Sequence, residues 1–260
     1  MNFFILIILC VVQGLTEFLP ISSSGHLLLF SQLFKINEND LLLNLFLHIA
    51  TLVAVVIVYR KIIWKLLKKP FQPLTFKLLL STIITVVFAL VYEFLNINNF
   101  VTKFYGFCFL ITAILLLFTH KFQKQSITIK ATDDISAKSA SIVGIVQGFA
   151  VLPGISRSGS TICSLLLSGN TKEKAAEYSF LLSIPIIIGG FIFELIKTDQ
   201  TSIFVSTFAW WHYIIAFSVT FLVALASLKI TLKLLKDNKF NLFGIYLIFV
   251  SIFTIIFQFI

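Results

Sequence analysis

Apolar residues in this chain run together instead of alternating with polar ones. Six stretches, Leu41–Tyr59, Leu78–Leu95, Phe104–Thr119, Ala176–Ile196, Trp210–Leu228 and Asn241–Ile260, consist mainly of Leu, Ile, Val and Phe. A helix needs about 20 such residues to cross roughly 30 Å of hydrocarbon, so the pattern predicts six transmembrane helices. The third stretch is short for that thickness, and its helix is expected to begin earlier, near Val101. Two more stretches, Val11–Ser31 and Ile142–Gly169, are apolar but interrupted. Gly14, Pro20, Ser22, Ser23, Ser24 and Gly25 break the first; Gly148, Pro153, Gly154, Ser156, Ser158, Gly159 and Gly169 break the second. Proline removes a backbone donor and glycine weakens a helix. Each interrupted stretch is therefore expected to enter the membrane, turn and return, which backbone tolerates at that depth only inside protein or around a wet cavity.

Composition turns this pattern into a class. Of 260 residues, 58% are hydrophobic and 12% charged, about half the charged share of a typical soluble domain, and the mean hydropathy is +1.02. A water-soluble surface is excluded. The net charge of +9 does not signal nucleic acid, because the lysines gather in short loops between apolar runs. Arg60, Lys61, Lys65, Lys68, Lys69 and Lys77 follow the first run; Lys121, Lys124, Lys130 and Lys138 follow the third; Lys229, Lys233, Lys236 and Lys239 follow the fifth. Alternate loops, at 96–103 and 197–209, are poorer in basic residues. The basic loops are expected on the cytoplasmic side, with both termini outside. Cys10, Cys108 and Cys163 lie in or beside apolar segments without a C-x-x-C pair, so neither a disulfide framework nor a zinc site is expected. No basic segment precedes Phe3–Val12, which argues against a cleaved signal peptide.

The interrupted stretches repeat each other. Residues 12–25 and 146–159, laid over one another without gaps, share Val, Gln, Gly, Ile, Ser, Ser and Gly at matching positions. Three expected spans separate the copies, an odd number, so the second copy enters from the opposite face. The expected fold is an all-α polytopic membrane protein built as an inverted-topology repeat, each half a re-entrant helical hairpin plus three transmembrane helices. Repeat 1 covers about 1–120, a basic cytoplasmic linker about 120–138, and repeat 2 about 138–260, in one integral membrane domain. In such folds the site lies near the midplane, where the broken helices of the two halves meet.

The copies differ where chemistry needs them to. Glu17 corresponds to Val151, Ser23 to Arg157 and His26 to Ser160. One hairpin thus offers a carboxylate, hydroxyls and an imidazole, and the other a guanidinium flanked by Ser156, Ser158 and Thr161. An ionisable side chain inside the membrane is costly and by default marks function. Arg157 presents a planar donor fork suited to phosphate oxygens at what reads as a loop opening into a helix, itself an anion-binding feature. The bland alternative is that Arg157 only neutralises Glu17. Glu17 fits a general base or a metal ligand, His26 a nucleophile, general acid or proton relay, and Ser23 a nucleophile whose proton goes to Glu17 or His26. His48, His120, His212, Glu93 and Glu194 read as structural or edge residues, Asp133 and Asp134 as a solvated loop pair, Glu177 as structural or supporting, and Trp210-Trp211 as an interfacial anchor.

On these residues, 12–26 (VQGLTEFLPISSSGH) together with 152–161 (LPGISRSGST), the chain resembles the bacterial undecaprenyl-diphosphate phosphatase, or bacitracin-resistance protein, family. The resemblance implies an enzyme of the bacterial cytoplasmic (inner) membrane that removes the terminal phosphate of a C55 polyprenyl diphosphate, recycling a lipid carrier for peptidoglycan and other envelope polymers, with its site open toward the outer face. It carries Glu17, Ser23, His26 and Arg157 over as the catalytic group, and Gln13, Ser22, Ser24, Ser156, Ser158 and Thr161 as site-lining positions. Many family members have Glu where this chain has Gln13, which weakens any mechanism that needs two carboxylates to hold a divalent cation such as Mg or Ca. A resident cation and a homodimer stay open at this point. Ser23 is favoured over His26 and over water as the attacking group. The main rival is a transporter or flippase for an anionic or polyprenyl-phosphate lipid, since inverted repeats with broken helices are common in that class. A second lipid-phosphatase class that pairs Ser-Arg with a closely following His is excluded, because the next histidine after Arg157 is His212.

Overall fold

The computed structural model describes residues 3–35, 41–125, 131–197 and 209–259. Within them the chain is helical: α1 (Phe3–Thr16), α2 (Ser23–Leu33), α3 (Leu41–Lys68), α4 (Pro73–Phe94), a short α5 (Ile97–Val101), α6 (Tyr105–Gln125), α7 (Ala137–Phe149), α8 (Arg157–Leu167), α9 (Lys172–Lys197), α10 (Trp210–Lys236) and α11 (Asn241–Phe259). Helices α3, α4, α6, α9, α10 and α11 are long and apolar enough to span a bilayer. The protein is a multi-pass membrane protein.

The six expected spans coincide with these six helices, of which α3, α4, α6, α9 and α10 run past the expected stretch at one or both ends. The expectation that the third begins near Val101 is corrected. Helix α5 ends there, and α6 starts only at Tyr105 after a break in which Phe104 N–H donates to the Val101 carbonyl (2.8 Å). Most of the loop at 197–209, Lys130 of the linker and Ile260 lie outside the described residues.

Burial is arranged for lipid. Phe76, Ile83, Val87 and Phe94 on α4, and Ile245, Phe249, Ile252 and Phe253 on α11, face outward, whereas Thr51, Ser81, Thr85, Thr112, Thr220, Ser227 and Thr231 are buried between helices. With no water to satisfy them, the inward hydroxyls bond to backbone. Ser81 donates to the Ala140 carbonyl (2.7 Å), Thr85 to Gly144 (3.2 Å), Thr220 to Cys10 (3.3 Å) and Ser227 to Leu15 (2.6 Å). These bonds fasten α4 to α7 and α10 to α1. Helix α6 lies along α11, α3 against α10 and α9, and α8 between α6, α7 and α9.

The interrupted stretches are helical hairpins, α1–α2 and α7–α8, as the glycine and proline positions predict. Each second helix is started by a serine. Ser22 Oγ accepts from Gly25 N–H (3.3 Å) at the start of α2, and Ser156 Oγ from Gly159 N–H (3.1 Å) at the start of α8.

Candidate active site

The two hairpin turns touch. Ser22 Oγ, besides capping α2, accepts from Gly154 N–H (3.1 Å), while Thr112 Oγ1 on α6 donates to the Gly154 carbonyl (3.1 Å) and accepts from Ser156 N–H (3.1 Å). The approach depends on two glycines. A Cβ on Gly25 would lie 2.8 Å from the Gly154 backbone, and Gly154, at φ +90°, would bring one within 2.5 Å of the Tyr105 carbonyl. Ser22 also sits at φ 69° without being glycine, a strained conformation held by the bonds around it.

This contact assembles Glu17, Ser23 and Arg157. Glu17 follows the last turn of α1, its N–H on the Gln13 carbonyl (3.1 Å), and its side chain is only 6% exposed as a residue. One carboxylate oxygen, Oε1, pairs with Arg157 Nη2. The other, Oε2, accepts from Ser23 Oγ (2.6 Å) and from Gln13 Nε2 (3.1 Å). Arg157, the first residue of α8, also points Nη1 at the Ser183 carbonyl (3.5 Å). A hydroxyl donating to a carboxylate is the nucleophile-and-base geometry that covalent catalysis requires. Glu17 is buried while Arg157 keeps 17% of its side chain exposed at the cavity, so it is removal of Arg157 that strands a buried charge, at a cost of about 3–5 kcal/mol.

These groups open onto a cavity of about 910 Å³. Glu17, Ser22, Ser23, Ser24, Ser156 and Arg157 line its polar end, and Leu27, Leu28, Ile186, Ile187, Phe191 and Leu195 contribute apolar walls. The volume and the mixture fit a ligand with a charged head and a hydrocarbon tail.

Other expected site residues lie elsewhere. Gln13 is behind Glu17, fully buried and outside the cavity lining. Ser158 donates to the Leu19 carbonyl (3.1 Å), and Thr161 contacts Ser179 Oγ (2.5 Å) and the Arg157 carbonyl (2.9 Å). Both hold α8 in place and do not line the cavity. His26 departs most from expectation. It is 2% exposed and points away, its ring bonded to the Ser22 carbonyl and to Tyr246 Oη (2.8 Å each) and packed against Phe109. Three residues on from Ser23, His26 lies about 60° round α2 from it, and its ring is taken up by the Ser22 carbonyl, Tyr246 and Phe109 instead of the cavity.

Three residues given a structural or edge reading, or none, line the same cavity: His48, Glu194 and Asn44. His48 donates from Nδ1 to the Asn44 carbonyl (2.8 Å) on its own helix. The i, i+4 spacing of Asn44 and His48 on an otherwise apolar span was the available signal. Glu177 pairs with Lys174 (2.9 Å), Glu93 with Lys197 (2.5 Å) and Asp134 with Lys77 (2.9 Å).

A resident divalent cation does not fit this donor set. Both Glu17 oxygens are already engaged by a guanidinium, a hydroxyl and an amide, and no group of three His, Cys, Asp or Glu among the described residues is placed to hold a metal.

The family model described as "Bacitracin resistance protein BacA" matches residues 6–253. The chain belongs to the BacA family. Among BacA relatives, a protein of Halothermothrix orenii is 39% identical over 98% of both chains, one of Methanococcus vannielii is 38% identical over 96% of this chain and 98% of its own, and one of Thermosipho africanus is 40% identical over 95% and 96%. Each of the three is named undecaprenyl-diphosphatase. The BacA match runs from within α1 to within α11 and so includes both hairpin turns.

Proposed function

We propose that the protein is an undecaprenyl-diphosphate phosphatase, hydrolysing the terminal phosphate of a C55 polyprenyl diphosphate to leave the monophosphate. One observation carries the reading: Ser23 donates to a carboxylate that is fixed by a guanidinium, at the polar end of a cavity with apolar walls. Ser23 Oγ attacks the terminal phosphorus in line while its proton passes to Glu17 Oε2. The bond from that phosphorus to the bridging oxygen breaks, and polyprenyl phosphate leaves. Water then attacks the phosphoserine, the bond from phosphorus to Ser23 Oγ breaks as Glu17 returns its proton to Oγ, and inorganic phosphate leaves carrying the protons of the water. Arg157 and the start of α8 stabilise charge on the phosphoryl oxygens as it moves.

The site belongs on the outer side of a cytoplasmic membrane. The cavity is lined by Lys35, Thr102, Glu194 and Leu195, and by the ends of α3 and α9 remote from Lys65, Lys68, Lys172 and Lys174, and such basic ends favour the cytoplasm.

The two halves form an inverted repeat. Helix α1 packs on α10 as α7 packs on α4. A Cβ on Gly14 would meet Val223, and one on Gly148 would meet Phe88; likewise Gly106 abuts Ile255 and Gly244 abuts Leu117. Each pair of contacts is the other with the halves exchanged. The same symmetry favours a second reading, a flippase for an anionic polyprenyl lipid. Phosphate release from undecaprenyl diphosphate by purified protein in detergent separates them: a hydrolase releases phosphate and loses it in Glu17→Gln, whereas a carrier releases none.

A further inference from the structure

Tyr246 stands out on α11. The large side chains around it that face outward, Leu242, Ile245, Phe249, Ile252 and Phe253, are apolar, and Tyr246 alone among these neighbours carries a polar group, although it is 43% exposed. A hydroxyl facing hydrocarbon is unfavourable unless it finds a partner. The Tyr246 hydroxyl lies 2.8 Å from His26 Nε2, with the two rings nearly parallel (8°) and 5.8 Å apart.

The other ring nitrogen fixes the direction of these bonds. His26 Nδ1 is 2.8 Å from the Ser22 carbonyl, which can only accept, so Nδ1 carries the proton. In the neutral ring Nε2 is then an acceptor, and Tyr246 donates to it. Both nitrogens are used and the residue is buried, so His26 has neither a lone pair nor a proton directed at the cavity. The group it holds, Ser22, has the strained φ of 69°, caps α2, bonds to Gly154 and immediately precedes Ser23.

We propose that Tyr246 is a positioning residue: through His26 it holds the Ser22 carbonyl, and with it the turn that presents Ser23 to Glu17. A helix of the second half thereby braces the reactive turn of the first. This inference rests on the hydrolase reading for its kinetic consequence, but not for its structural one. His26 accordingly transfers no proton and accepts no phosphoryl group.

Tyr246→Phe removes only the hydroxyl, and His26→Asn keeps a short donor toward Ser22 while losing Tyr246. Three measurements judge the brace. In selectively ¹⁵N-histidine-labelled wild-type protein, the His26 signal, assigned by its loss in His26→Asn, is expected to be the Nδ1–H tautomer. Hydrogen exchange across residues 17–26 is expected to speed up in Tyr246→Phe while exchange across 151–160 stays unchanged. Each single variant is expected to lower kcat for phosphate release by about tenfold with KM retained, the scale of one lost hydrogen bond, and the double variant to match a single one. An Nε2–H tautomer, unchanged exchange in the turn, kinetic effects that multiply, or phosphohistidine at position 26 would overturn the proposal. If wild-type protein releases no phosphate, the hydrolase reading falls, and the tautomer and exchange results still decide whether the brace exists.

Discussion

The turns 17–22 and 151–156 occupy matching places in the two hairpins but differ in backbone, with positive φ at Ser22 in the first and at Gly154 in the second, and are opposites in chemistry. In both, a serine caps the second helix by accepting from the glycine three residues on, and in both a glutamine in the preceding helix is buried with its amide nitrogen committed and its Oε1 without a partner among the described residues. The commitments differ. Gln13 serves Glu17, whereas Gln147 serves Thr85 Oγ1 (2.9 Å) on α4. Where the first turn has Glu17, the second has the exposed Val151; where the first has Ser23, the second has Arg157. The two turns fit directly against each other. Their side chains put a carboxylate and a hydroxyl on one side of that contact and a guanidinium on the other.

Breaking the chemical half of the comparison should have the largest effect. Glu17→Ala leaves Arg157, partly exposed at the cavity, without its partner, and is expected to lower stability and to cost at least about 10²–10⁴ in kcat from loss of the base. Thermal unfolding in detergent with parallel phosphate-release assays would measure both; Val151→Ala, at the matching position, should change neither appreciably.

The glutamines sharpen the comparison at intermediate size. Gln13→Leu removes a donor to the reactive carboxylate and is expected to lower kcat by about tenfold. Gln147→Leu should leave kcat near wild type and move only the melting temperature. Equal kinetic effects in the two would remove the distinction between a chemical and a structural turn.

The caps give the smallest effect, and here the turns should behave alike in stability. Ser156→Ala is expected to cost about 1 kcal/mol, and Ser22→Ala somewhat more because Ser22 Oγ also accepts from Gly154. Chemical denaturation of the two variants side by side would test that order.

Much of this was legible in the sequence because it is written in runs and breaks. Uninterrupted Leu, Ile, Val and Phe read as spanning helix in a chain so poor in charge, and Gly, Pro and Ser clusters inside apolar stretches read as turns. The pairing of Glu17 with Arg157 was foreseen as the bland alternative to an anion site; the geometry has the pair and the cavity together. What was not legible depends on rotation about helix axes. Closeness in sequence suggested that Ser23 and His26 share a chamber, but the helix turns His26 toward α11. His48 was set aside because a lone histidine on an apolar helix carries no long-range information, and only the approach of α3 to the turns puts it in the cavity. Ser158 and Thr161 match the motif as fully as Arg157 does, yet their hydroxyls are consumed by backbone and by Ser179.

The most direct test of the central claim is rapid quenching of the purified protein with undecaprenyl diphosphate labelled in its terminal phosphate, followed by mapping of the labelled peptide. The account predicts label on Ser23, and neither label nor appreciable turnover in Ser23→Ala. Wild-type turnover in Ser23→Ala would contradict it.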